Sequence, residues 1–204
     1  MKPIELELKL SLPPEMPIEE LIQALHAFPG PLPPPECRQL SDVYLDTRKG
    51  ELRRRGWGLR CRTGTNSVKV TLKSLNSEAP DLMARQEIEV SGPPGSSWES
   101  LIREEAFSEM REWTSNRTLE TLFTLVKDQI RWKLFPEADL AVELTLDRVQ
   151  VREHPEIPPF SELELELKHG ELSRFRAFAL RLRDHLGLPV ASASKLERVW
   201  AYLD

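Results

Sequence analysis

The chain holds 204 residues with a formal net charge of −5, 40% of them hydrophobic and 30% charged. That length suits a single domain over 1–204, and the composition excludes a disordered chain, a fibrous rod and a helical membrane span, while the acid excess argues against a nucleic-acid or acidic-membrane partner. The two cysteines, Cys37 and Cys61, are too far apart for a metal knuckle and too few for a disulfide framework, and with no leader pattern at the start a cytoplasmic protein is expected.

Taken in chain order, residues 4–10 alternate strictly as Ile-Glu-Leu-Glu-Leu-Lys-Leu, the period of a half-buried strand. Pro17 then opens a helix carrying Ile18, Leu21, Ile22 and Leu25, which the prolines of 29–35 stop. A short strand is expected at 42–46, and the arginine run 53–55 reads either as solvated loop charge or as an electrostatic funnel. Strands follow at 59–62, 68–73 and 85–90. Trp98, Leu101, Ile102 and Phe107 predict a second helix from about Ser97, and Leu119, Leu122 and Leu125 predict a third. Strands return at 129–134, 141–147 and 162–167, which makes eight. A fourth helix carries Phe175, Phe178, Leu182 and Leu186 up to Gly187, a residue that commonly ends helices, and a last one covers 194–203.

The polar faces of these strands are sorted by sign. Glu5 with Glu7, Glu87 with Glu89, Glu143 with Asp147, and Glu162, Glu164 and Glu166 each share one face of a strand. Arg60 with Arg62, and Lys69, Thr71 and Lys73, do the same with the opposite sign, and Lys9 shares the face of Glu5 and Glu7. Neighbouring carboxylates repel by about 0.2–1 kcal/mol per adjacent pair, so something must offset the cost. Hard divalent cations such as Mg²⁺ and Mn²⁺ prefer carboxylate oxygens, and a wall of Arg and Lys suits phosphate oxygens. Together they point to a phosphoryl substrate. The apolar faces need cover, which the amphipathic helices can supply from outside. An α+β fold results, a closed eight-stranded antiparallel β-barrel with a polar, charged lumen and helices packed outside. An open antiparallel sheet with one solvated charged face is the alternative.

Glu5-x-Glu7-x-Lys9 resembles the ExExK signature of the CYTH superfamily, the triphosphate tunnel metalloenzymes, and the resemblance continues in order along the chain. Tyr44-x-Asp46-Thr47 is similar to its tyrosine and threonine turn, Leu59-Arg60-x-Arg62 to its LRxR strand, and Thr71-x-Lys73 and Arg85-x-Glu87 to the strands that follow. Glu143-x-x-x-Asp147, Glu162-x-Glu164 and Ser194-Lys195-x-x-Arg198 complete the series. The spacing from Leu122-Phe123 to Trp132, the Glu162–Glu166 strand and the last motif look most like the bacterial inorganic triphosphatases.

The resemblance implies an eight-stranded tunnel that binds a triphosphate with one or two Mg²⁺ or Mn²⁺ ions. Glu5, Glu7, Asp147, Glu162 and Glu164 would form the metal side, with Glu87, Glu89, Glu143 and Glu166 as further candidates. Lys9, Arg60, Arg62, Lys73, Arg85, Lys195 and Arg198 would hold the phosphates. Lys9, Glu162 and Glu164 are the expected catalytic residues, and tripolyphosphate would give phosphate and pyrophosphate. Gln129 departs from the pattern, standing where the family tends to carry a basic residue, and Arg131 on the same face can supply the charge. Thiamine triphosphatase and class IV adenylate cyclase are alternative activities, and a module that only binds polyphosphate or nucleotides is the non-enzymatic one. Trp57, Trp98, Trp113, Trp132 and Trp200 read as core or rim packing, although one at a tunnel mouth could stack on a thiamine or adenine ring. The pattern specifies no oligomeric state; a homodimer through an outer strand or helix face is one expectation.

Overall fold

The computed structural model describes residues 4–76, 82–191 and 193–203. Its strands are β1 (Ile4–Ser11), β2 (Glu36–Thr47), β3 (Trp57–Thr63), β4 (Val68–Ser74), β5 (Met83–Gly92), β6 (Leu119–Glu137), β7 (Leu140–Val151) and β8 (Phe160–His169). Between them run helices α1 (Ile18–Ala27), α2 (Glu51–Arg54), α3 (Trp98–Leu101) and α4 (Ser108–Trp113), and α5 (Leu172–Leu186) and α6 (Lys195–Leu203) follow the last strand. The strands close into an antiparallel barrel in the order β1-β5-β4-β3-β2-β6-β7-β8, and closure leaves no unpaired edge strand among the described residues.

Alternation decides the two surfaces of the barrel. Leu8 and Leu10 of β1, Leu144 and Leu146 of β7, and Leu163 and Leu165 of β8 face outward and are buried under Leu21 and Leu25 of α1 and Phe175, Phe178 and Leu182 of α5. Each fully buried leucine contributes about 1.5–3 kcal/mol of burial. On the other side Leu45, Leu59, Val70 and Leu72 are covered by Leu52 of α2, Leu101 of α3, Phe107 of the short turn before α4, and Met110 of α4. The charged faces of the same strands therefore turn into the lumen, as the sequence pattern requires. No helix among the described residues is long and apolar enough to cross a membrane.

The helix expected through Leu119, Leu122 and Leu125 is instead the first part of β6, a strand of 19 residues. A β-bulge explains the helical spacing. Tyr44 pairs with Phe123 but Leu45 pairs with Thr121, so Leu122 is the extra residue. Leu119 then packs outside with the cover of α2 to α4, whereas Leu125 faces inward. Likewise β2 begins at Glu36, well before the expected 42, directly after the prolines.

The loop after β2 is organised by Asp46, whose carboxylate accepts the backbone N–H groups of Thr47 (2.7 Å), Leu52 (3.0 Å) and Arg53 (3.0 Å). It thereby satisfies the free N–H groups at the start of α2. The arginine run lies here, and its members stack: Arg53 sits 4.4 Å from the Trp200 ring centroid and Arg55 5.9 Å from that of Trp113.

Helix α6 does more than cover the barrel. Its Leu196, Val199 and Trp200 pack with Tyr44, Phe123, Leu125, Val149 and Phe160, residues whose cross-strand partners place them on the lumen face. The helix thus stoppers one end of the barrel with an apolar plug. Gly58 makes room for it, since a Cβ there would lie 2.5 Å from Leu196 Cδ2.

Candidate active site

The strand order sorts the lumen into two halves. Strands β7, β8, β1 and β5 are consecutive neighbours and bring Glu143, Asp147, Glu162, Glu164, Glu166, Glu5, Glu7, Glu87 and Glu89 to one side. Strands β4, β3, β2 and β6 form the other, with Lys69, Lys73, Arg60, Arg62, Lys127 and Arg131. Within the acidic half, Glu7 stands directly across from Glu166, and Glu166 from Glu143. The cavity between them measures about 870 Å³.

Cations placed among the acids offset the repulsion. Lys9 lies 2.9 Å from Glu164 and 3.6 Å from Glu7. Arg85 pairs with Glu7, and Lys73 crosses from the basic half to Glu5 and, at 3.1 Å, to Glu7. Lys195, delivered by the first turn of α6, meets Glu164 (2.6 Å), Glu162 (3.0 Å) and Asp147 (3.1 Å). On the opposite side Arg62 forms a bidentate pair with Asp42 at 2.6 and 2.8 Å, and Arg131 reaches Glu143 at 3.1 Å.

These contacts set the protonation states. Burial favours the neutral amine of Lys9 and of Lys195, but Glu164 and Glu7 hold Lys9 above the ordinary lysine range, and Glu162, Glu164 and Asp147 hold Lys195 well above it. Burial likewise favours protonated carboxyls, yet Lys195 with Lys9 keeps Glu164 well below its usual range, and Lys195 with Lys127 holds Asp147 below its own. Lys73 goes the other way: burial and the neighbouring Arg85 lower it to about 8 against the pull of Glu87, Glu164 and Glu166. Burial raises the Glu166 carboxyl, with Glu143 and Glu7 adding to the rise against Lys168.

Of the residues expected from sequence, Glu5, Glu7, Lys9, Arg60, Arg62, Lys73, Arg85, Arg131, Asp147, Glu164 and Lys195 line this cavity. Glu162 is 1% exposed and sits behind Lys195, off the cavity wall. Arg198 sits elsewhere: its guanidinium does not line the cavity and lies 4.1 Å from the Phe160 ring centroid. The cause is helical phase. With about 100° per residue, Arg198 falls roughly 150° away from the Leu196, Val199 and Trp200 stripe that enters the barrel.

The sequence reading missed Lys127 and Asp42, which the fold brings into the lumen. Lys127 is buried between Asp42 (3.1 Å) and Asp147 (3.2 Å), and burial lowers its pKa despite both acids. Beside it the Gln129 amide donates to Asp147 at 2.8 Å, so Lys127 and Arg131 flank the departure from the family pattern on the same face. Extending the alternation at 129–134 back by one period would have found Lys127; Asp42 lay at the edge of a strand expected to start there.

Among the described residues no three His, Cys, Asp or Glu side chains converge as a metal cage, because each carboxylate of the expected metal side faces a lysine or arginine. The donor chemistry nonetheless fits a hard divalent ion. All donors are carboxylate oxygens on adjoining strands, and the buried Glu162 Oε2 accepts no hydrogen bond although Lys195 lies 3.0 Å away. No tryptophan lines the cavity: Trp57 and Trp113 pack on each other at 5.4 Å, and Trp132 is in the outer core.

The sequence matches the CYTH domain family over residues 3–199. No curated protein matches it significantly. Among solved structures, the Hippeastrum protein HpAC1, a candidate adenylyl cyclase with a dominant triphosphatase activity, is similar with a TM-score of 0.70 at 19% identity, over 97% of this chain and 96% of that one. A candidate adenylate cyclase from Bacillus halodurans is similar at 0.67 and 18%, over 97% of both chains. The Mimivirus capping enzyme triphosphatase is similar at 0.51 and 10%, over 90% of this chain and 89% of that one.

Proposed function

The chain belongs to the CYTH domain family, and from that premise we propose that it hydrolyses a triphosphate, inorganic tripolyphosphate in preference to an organic one, giving phosphate and pyrophosphate. The observation that carries this reading is the lining of the tunnel. It presents charge of both signs and no tryptophan, and its tyrosine, Tyr44, is 8% exposed and stacked on Phe123. A nucleoside or thiamine group would need an apolar or aromatic platform. The dominant triphosphatase activity of the Hippeastrum protein supports the same reaction class.

Mg²⁺ or Mn²⁺, held by Glu5, Glu7, Asp147, Glu162 and Glu164, would neutralise phosphate charge and acidify water when bound. Arg60, Lys73, Arg85 and Arg131 line the cavity and bind phosphate oxygens, the guanidiniums as forks and the ammonium as a point charge. Lys9 and Lys195 both reach Glu164 and fix its position. Because that pairing holds Glu164 well below the usual range, its carboxylate serves to orient the attacking water rather than as a strong base. The water oxygen bonds to the terminal phosphorus as the anhydride P–O bond breaks; pyrophosphate leaves with the electron pair, its charge stabilised by the cationic half, and of the water's two protons one stays on the phosphate formed and the other goes to the departing pyrophosphate.

Phosphate release from tripolyphosphate, ATP and thiamine triphosphate, each with Mg²⁺, with Mn²⁺ and with chelator, tests the proposal against Glu5→Gln as the blank. Metal-dependent release strongest on tripolyphosphate is expected. Tight tripolyphosphate binding with no release from any substrate would make the tunnel a receptor, a reading favoured by the pairing of every expected metal-side carboxylate with a cation.

A further inference from the structure

We propose that the outside of the barrel carries a second binding site, for a small anion with an apolar body such as an aromatic or aliphatic carboxylate, sulfonate or phosphate ester. A groove of about 380 Å³ lies between the β1–α1 segment, β7, the start of β8 and α6, a volume within the ~300–1,000 Å³ of small-ligand sites. Pro13, Pro14, Pro17 and Pro159 line it. Their locked φ angles make the walls stiff before any ligand arrives, which lowers the ordering cost of binding. Prolines also offer no N–H, so an anion must find its donors elsewhere.

Arg148 and Arg198 provide those donors. In the tunnel the lysines and arginines stand against carboxylates; among the described residues these two guanidiniums pair with none. Arg198 lies over Phe160 at 4.1 Å, a contact that holds its guanidinium at the groove. Glu19 is the acid of the groove; it is exposed and pairs with neither arginine. The site thus combines an apolar, proline-walled body with net positive charge.

The test is a fluorescence titration of the full chain with anilinonaphthalene sulfonate, an apolar ring system bearing one anionic group. Saturable binding is expected, unaffected by excess tripolyphosphate and weakened about tenfold in Arg148→Gln and again in Arg198→Gln, the loss of one charge-assisted hydrogen bond each. Circular dichroism confirms that each variant is folded, and Arg148→Gln should keep wild-type turnover. Equal affinity in both variants, displacement of the dye by tripolyphosphate, or equally tight binding of the uncharged anilinonaphthalene would overturn the proposal. So would displacement by inorganic sulfate at the dye's own concentration, since that would show a site for bare anions.

Discussion

Replacing Lys195 by methionine removes the cation at the centre of the acidic half while keeping length and helix propensity. The consequence can be worked through its three carboxylate partners. Asp147 retains Lys127 at 3.2 Å and the Gln129 amide at 2.8 Å, and Glu164 retains Lys9 at 2.9 Å. Glu162, 1% exposed, retains no cation among the described residues. An uncompensated buried charge costs about 3–5 kcal/mol; with two of the three acids still paired, the lower end applies. A loss of about 3 kcal/mol at pH 7 corresponds to a melting temperature lower by about 6–12 °C for a chain of this size. Glu164 and Asp147 titrate below their ordinary values of 4.5 and 3.8. Their ionised forms therefore stabilise the fold above those values, and the stabilisation is lost as pH falls. The gap between wild type and Lys195→Met should be full at pH 7 and close as the pH drops below about 4. Urea unfolding of both proteins at several pH values measures it. A gap below about 1 kcal/mol at pH 7, or one that persists unchanged into acid, would refute the charge argument and leave only packing.

The lowered pKa of Lys73, about 8, predicts that tripolyphosphate affinity is highest below that pH, where the ammonium is charged, and falls by about tenfold per unit above it; Lys73→Arg should abolish that limb in a calorimetric pH series. Glu5→Gln and Lys9→Ala should each abolish turnover with circular dichroism unchanged, and retained activity in both would remove the tunnel chemistry. Gly58→Val drives a side chain into Leu196, whose Cδ2 would lie 2.5 Å from the new Cβ; stability should drop by about 1–3 kcal/mol and turnover with it, as α6 and Lys195 shift. A variant with wild-type melting and turnover would show that α6 is not seated against β3.

The sequence by itself determined which residues share a face. Period-two alternation is local, so Glu5, Glu7 and Lys9, or Glu162, Glu164 and Glu166, could be assigned to a common side of a strand without knowing its neighbours. Even the inverted character of the barrel followed, because leucines alternating with charges must be covered from outside. The limits of that reading are physical. At Leu122 one extra residue flips the alternation, and a bulged strand then shows the spacing of a helix. Only the tertiary structure decided which strands are neighbours: β5 returns to β1 and β6 to β2, and that pairing gathers the acids into one half and the bases into the other. Tertiary packing also seated α6 in the barrel end, sending Lys195 in and Arg198 out, and placed Lys127 between Asp42 and Asp147. Pairing and register are set by contacts between residues far apart in the chain, and no local periodicity carries them.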